Sequence, residues 1–170
     1  MPRLLGESEF EETTIERLIK LVYQYLHAQE LFQRGERENL SSVVLANRLG
    51  AFLKEAYPAI PKKHIPNLVS QFLNVDGVTL AQRNEQFHSL MVKGLTFSYE
   101  ENNETQYHHI YPIDWNKPTN NDFLVVNQLS IKEKMSRRPD IVIFINGLPL
   151  VVFELKNPND ENAKVYDAYN

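Results

Sequence analysis

The pair Asn146-Gly147, set between the apolar runs Ile141–Ile145 and Leu148–Phe153, constrains this chain more than any other feature. Asn-Gly between two such runs is the strongest short-range hairpin signal, because both residues tolerate the positive φ that a tight turn needs. Charges sit at the far ends of this hairpin. Asp140 opens the first run, after Arg137-Arg138-Pro139, and Glu154-Leu155-Lys156 closes the second. Taking a carboxylate or ammonium out of water without a partner is expensive, so two acids and a lysine in apolar strands imply a shared ligand, most simply a divalent cation.

Strand side chains alternate between faces, so the pairing register decides whether the acids meet. A two-residue loop pairs Ile145 with Leu148, sets Asp140 opposite Phe153 and puts Glu154 on the other face. An odd loop pairs Phe144 with Leu150, sets Asp140 opposite Glu154 and leaves Lys156 on that face two residues on. We expect the second register, because Pro149 cannot donate a ladder hydrogen bond and belongs in or beside the turn. Opposed Cβ atoms then lie about 4.5–5.5 Å apart, close enough for both carboxylates to hold one hard cation.

The chemistry that needs this set is metal-assisted hydrolysis of a phosphodiester. Mg²⁺ prefers oxygen ligands and keeps several waters, so Asp140, Glu154 and the backbone carbonyl of Leu155 would bind it and leave room for a phosphate oxygen. Lys156 would orient or help deprotonate the attacking water and offset charge developing at phosphorus. A second metal, about 3.5–4 Å from the first, fits if another acid reaches the site.

Pro139-Asp140 followed by Glu154-Leu155-Lys156 is similar to the PD-(D/E)xK nuclease motif. The longer string RRPDIVIFINGLPLVVFELKNP, placed after NDFLVVNQ, resembles the N-terminal endonuclease domain of the restriction (R) subunit of type I restriction-modification enzymes. The N-terminal ESEFEETTIERL extends the resemblance, while residues from about 27 to 90 carry little of it. The resemblance implies an α/β fold, a PD-(D/E)xK nuclease-like mixed β-sheet flanked by helices, with Mg²⁺-dependent cleavage of double-stranded DNA. It also implies modification and specificity subunits as partners, and an ATP-driven translocase in the same subunit. The chain has no GxxxxGK[ST] loop and no room for two motor domains in 170 residues. We therefore expect a segment of a longer subunit, with ATP used by the motor region and not by this chain. A Gln-x-x-x-Tyr element that the family carries on the helix after the lysine strand would lie just beyond Asn170.

Composition fits an intracellular, cytoplasmic domain. No cysteine is present, which excludes disulfides and thiolate zinc sites, and no apolar run approaches membrane-spanning length. The net charge of −4 is low for a protein that grips duplex DNA, so Arg137-Arg138, Lys132, Lys134 and Lys62-Lys63-His64 would carry the local phosphate contacts unless partners supply them.

The organisation reads as a single domain over residues 1–170, with a helical insertion at about 38–93 and the sheet core and active site at 94–170. A helix is expected over Glu7–Leu26, where Phe10, Thr14, Leu18, Val22 and Leu26 recur at a period near four. Glu11 flanks this stripe and is the candidate helix acid for the site, in line with an acid in the family's equivalent segment; Glu7 is its rival. Both also suit a first turn that complements the helix dipole. Further helices are expected from Ser41 or Ser42 to Tyr57, over Ile65–Leu73 and over Ala81–Lys93, and a last one from about Glu161, with Tyr166 and Tyr169 packed on it. Strands are expected at Thr96–Tyr99, Gln106–Ile113, Asp122–Ile131, Asp140–Ile145 and Leu150–Lys156. Asp122 and Gln128 lie in the family-like string, where they either edge a strand or reach the site. His108 and His109 would point to opposite strand faces, which argues against shared metal binding.

Three readings follow. The chain is the cleavage module of a type I restriction subunit, a non-catalytic DNA- or partner-docking domain of the same fold, or a stand-alone repair nuclease of the superfamily. The first accounts for all three charged motif residues.

Overall fold

A computed structural model describes residues 6–132 and 136–156. Along the chain run α1 (Glu7–Lys20), β1 (Gln24–His27), α2 (Ala28–Gln33), α3 (Ala46–Ala56), α4 (Ile65–Leu73), α5 (Leu80–Lys93), β2 (Leu95–Glu101), β3 (Glu104–Ile110), β4 (Phe123–Asn127), β5 (Ile131–Lys132), β6 (Ser136–Arg137), β7 (Ile141–Ile145) and β8 (Leu148–Phe153). The mixed α/β class is the expected one. Two compact units form: residues 45–122, and the segments before and after them. The helix expected from Glu161, with Tyr166 and Tyr169, lies outside the described residues, as does Lys134.

The discontinuous unit is built on a four-stranded sheet in the order β1-β4-β7-β8. β1 pairs parallel with β4, and the other two pairings are antiparallel. β4 and β7 are central and carry Leu124, Val125, Val126 and Ile141 through Phe144, all buried, as strands covered on both faces require. α1 starts where the Glu9 carboxylate accepts the Gly6 N–H at 2.8 Å, with acids in its first turn and Arg17 and Lys20 in its last. It buries Ile15 against Val125, Ile141 and Ile143.

The first helix is shorter than the four-residue period suggests. It stops at Lys20; Val22 turns with φ 74°, and Tyr25 and Leu26 pair instead with Val125 and Val126. Leu26 is buried as a strand residue, so the sheet ladder overrides a stripe that happened to continue in register. α2 forms where the sequence suggests no separate helix. His27 caps it, its Nδ1 accepting the Gln29 N–H at 3.2 Å while Glu30 accepts the His27 N–H at 3.1 Å. That backbone hydrogen bond leads the causes that hold the Glu30 carboxyl below its usual range. Nearby, Arg37 is buried: its Nε donates to the Ser42 carbonyl at 2.8 Å and its Nη2 to that of Leu40 at 2.9 Å.

In the unit spanning residues 45–122, α3 and α4 pack on each other, and Leu49, Leu53, Leu68, Phe72, Phe97 and Ile110 are buried. α3 begins at Ala46 and not at a serine cap. The Asn39 Oδ1 captures the Ser41 and Ser42 amides at 2.9 and 3.0 Å, so those residues form an Asx turn before the helix. α5 has the Thr79–Gln82 capping box and ends at Gly94, whose φ is 69° and where an added Cβ would sit 2.5 Å from the Ile110 carbonyl oxygen. The hairpin of β2 and β3 turns at Asn102-Asn103, both with positive φ. It forms its own two-stranded sheet and clusters with the helices of residues 45–122. The four-stranded sheet thus draws on β1 from the N-terminus where the sequence reading placed β2 and β3, a consequence of the parallel β1–β4 pairing.

Candidate active site

The β7–β8 turn is the two-residue one. Asn146 and Gly147 have φ of 51° and 80°, Asn146 is buried, and Ile145 pairs with Leu148 and Phe144 with Pro149. The expected odd loop, with Phe144 opposite Leu150, is therefore not formed. A β-bulge replaces it. Beyond Phe144–Pro149 the next pair is Ile143–Val151, so Leu150 is the extra residue, placed directly after a proline that offers the ladder no N–H. The bulge shifts the register by one, through Val142–Val152 to Ile141–Phe153. The ladder ends at that pair, one step short of the expected Asp140–Glu154 pairing.

Burial assigns the faces. Ile141, Ile143, Phe153 and Leu155 belong to the cluster under α1, while Glu154 and Lys156 on either side of Leu155 are exposed. Asp140 is half-buried at the end of β7. Its Oδ2 accepts the Leu155 N–H at 2.6 Å, and its backbone carbonyl accepts the Gln128 N–H at 2.9 Å. The Asp140 carboxylate is therefore fixed against the Glu154-Leu155 segment by a charge-assisted hydrogen bond.

Glu11, half-buried on α1, reaches the adjacent strand. Its Oε1 accepts from Asn127 Nδ2 at 2.7 Å and its Oε2 from Gln128 Nε2 at 2.9 Å. Consecutive strand residues point to opposite faces, and Gln128 joins Asn127 on Glu11 because its φ of 55° breaks that alternation. Tyr25 on β1 donates from its hydroxyl to Asn127 Oδ1 at 3.0 Å. Burial, then the charges of Glu11 and Glu30, raise the Tyr25 pKa and keep the phenol a donor. Glu7 lies exposed in the first turn of α1. Among the described residues no three His, Asp or Glu side chains gather closely enough to hold an ion, so Glu11 does not join Asp140 and Glu154 in one ligand group.

The remaining candidates fall elsewhere. Asp122 pairs with Arg48 at 2.7 Å within residues 45–122. His109 Nε2 lies 2.7 Å from the Lys93 carbonyl, and His108 stacks on Tyr99. Arg137 and Arg138 are exposed, Arg137 pairing with Ile131 across the short β5–β6 hairpin. A groove of about 1070 Å³ within residues 45–122 is lined by Phe52, Tyr57, Tyr111 and Trp115 among others, and by none of the motif residues. The sequence reading missed Asn127 and Tyr25. The available signal was two consecutive side-chain amides ending an apolar run.

The Asp140 carboxylate, anchored by the Leu155 N–H, and the exposed carboxylate of Glu154, the residue before Leu155, are hard oxygen donors. That suits Mg²⁺, which takes one or two protein carboxylates and completes its octahedron with water and substrate phosphate.

A family model described as the type I restriction enzyme R protein N terminus matches residues 5–170. The chain is 35% identical, over 98% of its length, to the type I restriction enzyme HindI endonuclease subunit of Haemophilus influenzae. It is 32% identical, over 94% of its length, to the putative type I restriction enzyme MjaIXP endonuclease subunit of Methanocaldococcus jannaschii. It spans 16% of the length of each. With the family model covering nearly every residue, including the Asp140–Lys156 hairpin, the chain belongs to the type I restriction enzyme R protein N-terminal family.

Proposed function

We propose that this chain is the DNA-cleaving module of a type I restriction endonuclease subunit, hydrolysing phosphodiester bonds of double-stranded DNA with Mg²⁺. The observation that carries this reading is the bulged hairpin, whose register runs to Ile141 opposite Phe153, one step short of Asp140 and Glu154, and whose Leu155 N–H holds Asp140 at 2.6 Å. The printed names of the relatives, both endonuclease subunits of type I restriction enzymes, support it.

Asp140 and Glu154 would hold the ion, with the Leu155 carbonyl as a third oxygen. Bound there, Mg²⁺ supplies Lewis-acid polarisation of the scissile phosphate and a water of lowered pKa. Lys156, exposed two residues beyond Glu154, directs its ammonium to the attacking water and to charge developing on the phosphate oxygens. Glu11 contributes a fixed negative charge from α1. Arg137 and Arg138, which precede Asp140, contact the DNA backbone and set its register without reading sequence. Modification and specificity subunits as partners, and ATP use by a motor elsewhere in the subunit, belong to the same proposal.

The test is calorimetric titration of Mn²⁺ into the complete protein and its Glu154→Ala variant, followed by plasmid cleavage in the assembled complex. One Mn²⁺ lost in the variant, with cleavage lost in parallel, supports the reading. Equal affinity in both proteins refutes the site, and binding without cleavage in the full complex favours the docking domain.

A further inference from the structure

We propose that the groove within residues 45–122 is a docking site for a segment of a partner protein that presents an arginine, received on the aromatic side chains of Trp115 and Tyr111 and balanced by the carboxylates of Glu55 and Asp114. The inference is independent of the metal site.

Shape sets the class of occupant. The groove holds about 1070 Å³, above the range of about 300–1,000 Å³ for small-molecule pockets, so it has room for several residues of extended chain. Its wall is preformed. The Asp114 carboxylate gathers the Asn116 and Lys117 N–H groups and the Asn120 side-chain amide, while the Asn121 Oδ1 accepts the Asp114 N–H at 2.8 Å, and together these bonds fix the loop of residues 114–121. The Tyr57 hydroxyl accepts the Tyr111 N–H at 2.7 Å, which ties the end of α3 to the segment after β3. A surface ordered in advance loses little conformational entropy on association.

Exposure marks where contact is made. Trp115 is 55% exposed although its Nε1 donates to the Met91 carbonyl at 3.1 Å, so its polar atom is already used and the ring is what it offers to solvent. Tyr111 and Val92, on the same lining, are also exposed. Aromatic side chains among apolar neighbours are the groups that anchor protein interfaces.

Charge selects the occupant. Glu55 and Asp114 line the groove, and no described Lys, Arg or His does; Lys54 and Lys117, adjacent in sequence to lining residues, are not part of it. Asp114 is held by neutral donors that fill three of a carboxylate's roughly four acceptor positions, so its negative charge and one position remain. Glu55 is exposed in the last turn of α3, where a negative charge opposes the helix dipole, so the helix gains nothing from an acid there. A phosphate-bearing ligand would meet two acids and no base. Arginine matches both features, because its planar guanidinium stacks on aromatic rings and donates to carboxylates.

The test is fluorescence anisotropy of a labelled peptide, Ala-Leu-Arg-Leu-Arg-Ala, added to the complete protein, beside the same peptide carrying citrulline, the neutral isostere of arginine. The arginine peptide should bind, and the citrulline peptide at least about 10-fold more weakly, as the loss of a charge pair and a cation–π contact requires. Trp115→Ala should weaken the arginine peptide about 10-fold or more, the loss expected of an aromatic anchor. Glu55→Gln should leave the unfolding midpoint unchanged or raised, weaken the arginine peptide and narrow the gap between the two peptides, a coupling that a purely structural residue does not show. Because Glu55 is exposed, that variant decides the matter should Trp115→Ala fold poorly. No saturable binding of the arginine peptide, equal affinity for the two peptides, or wild-type affinity in both folded variants would overturn the proposal. Tighter binding of a labelled oligothymidylate, lost in Trp115→Ala, would also overturn it and make the groove a base-stacking surface.

Discussion

The carboxylate of Asp140 accepts a hydrogen bond of 2.6 Å from the backbone N–H of Leu155, fifteen residues further along the chain. A single bond thus joins the end of one strand to the segment that carries the second acid and the lysine. It also occupies one Asp140 oxygen, so on the proposed metal-site reading the other oxygen is the donor for the cation.

Asp140→Asn separates charge from shape. The amide keeps an oxygen for the Leu155 N–H and removes the negative charge. Mn²⁺ affinity is expected to fall at least about 100-fold, beyond the range for outer-shell partners. Thermal stability should hold or rise, because neutralising one acid relieves its repulsion from Glu154. Calorimetric titration and a melting curve on the same samples check both parts. Retained affinity would remove Asp140 from the ligand set.

The bulge makes an unusual prediction about deletions. Without Leu150 the hairpin can still pair Phe144 with Pro149 and Ile143 with Val151, now as an uninterrupted ladder that keeps Ile141 opposite Phe153 and leaves Asp140 and Glu154 in their present relation. Deleting Leu150 should therefore leave Mn²⁺ affinity near that of the wild type. Inserting one residue between Phe153 and Glu154 moves the acid to the other face and should abolish binding. Loss of binding in the deletion, or retention in the insertion, would contradict the register.

This hairpin shows how far the sequence could be read. Asn146-Gly147 announced the turn, and the spacing from Asp140 to Glu154 required a one-residue offset somewhere between them. Whether that offset fell in the loop or in a bulge at Leu150 depended on strand twist and on Pro149, which alternation alone does not encode. The same limit appears at Leu26, where a helical period and a parallel ladder competed for the same residues and a strand about 100 positions away decided the outcome. Gln128 shows it again. Its redirection to Glu11 comes from one left-handed residue, and nothing in the local pattern marks that backbone.

Val22 offers a check on strain outside the site. It has φ 74° and is 87% exposed in the turn between α1 and β1. A β-branched residue in the left-handed region is a strong outlier, costing about 1–2 kcal/mol, and its exposure means that burial returns almost nothing. Val22→Gly should raise stability by about 1 kcal/mol, the relieved strain being partly offset by greater unfolded-chain entropy. Mn²⁺ affinity should not change. Denaturant unfolding measures the first and titration the second; a destabilised Val22→Gly would mean that this turn needs its valine for packing the strain argument ignores.

Asp114 predicts how stability responds to acid. Its carboxylate accepts the Lys117 N–H at 2.9 Å, the Asn120 side-chain amide at 2.8 Å and the Asn116 N–H at 3.0 Å. These bonds favour the ionised form, the Lys117 backbone bond most, and hold its pKa below the usual carboxylate range. A carboxyl that binds its proton less readily when folded contributes stability above its unfolded pKa, and that contribution disappears as pH falls through the lowered folded value. Asp114→Asn cannot ionise, so it should melt earlier than the wild type at neutral pH and lose less stability on acidification, the two curves converging at low pH. Melting temperatures measured from neutral pH down through the carboxylate range decide it. Parallel curves with a constant offset would show that Asp114 acts in its loop through shape alone and not through charge.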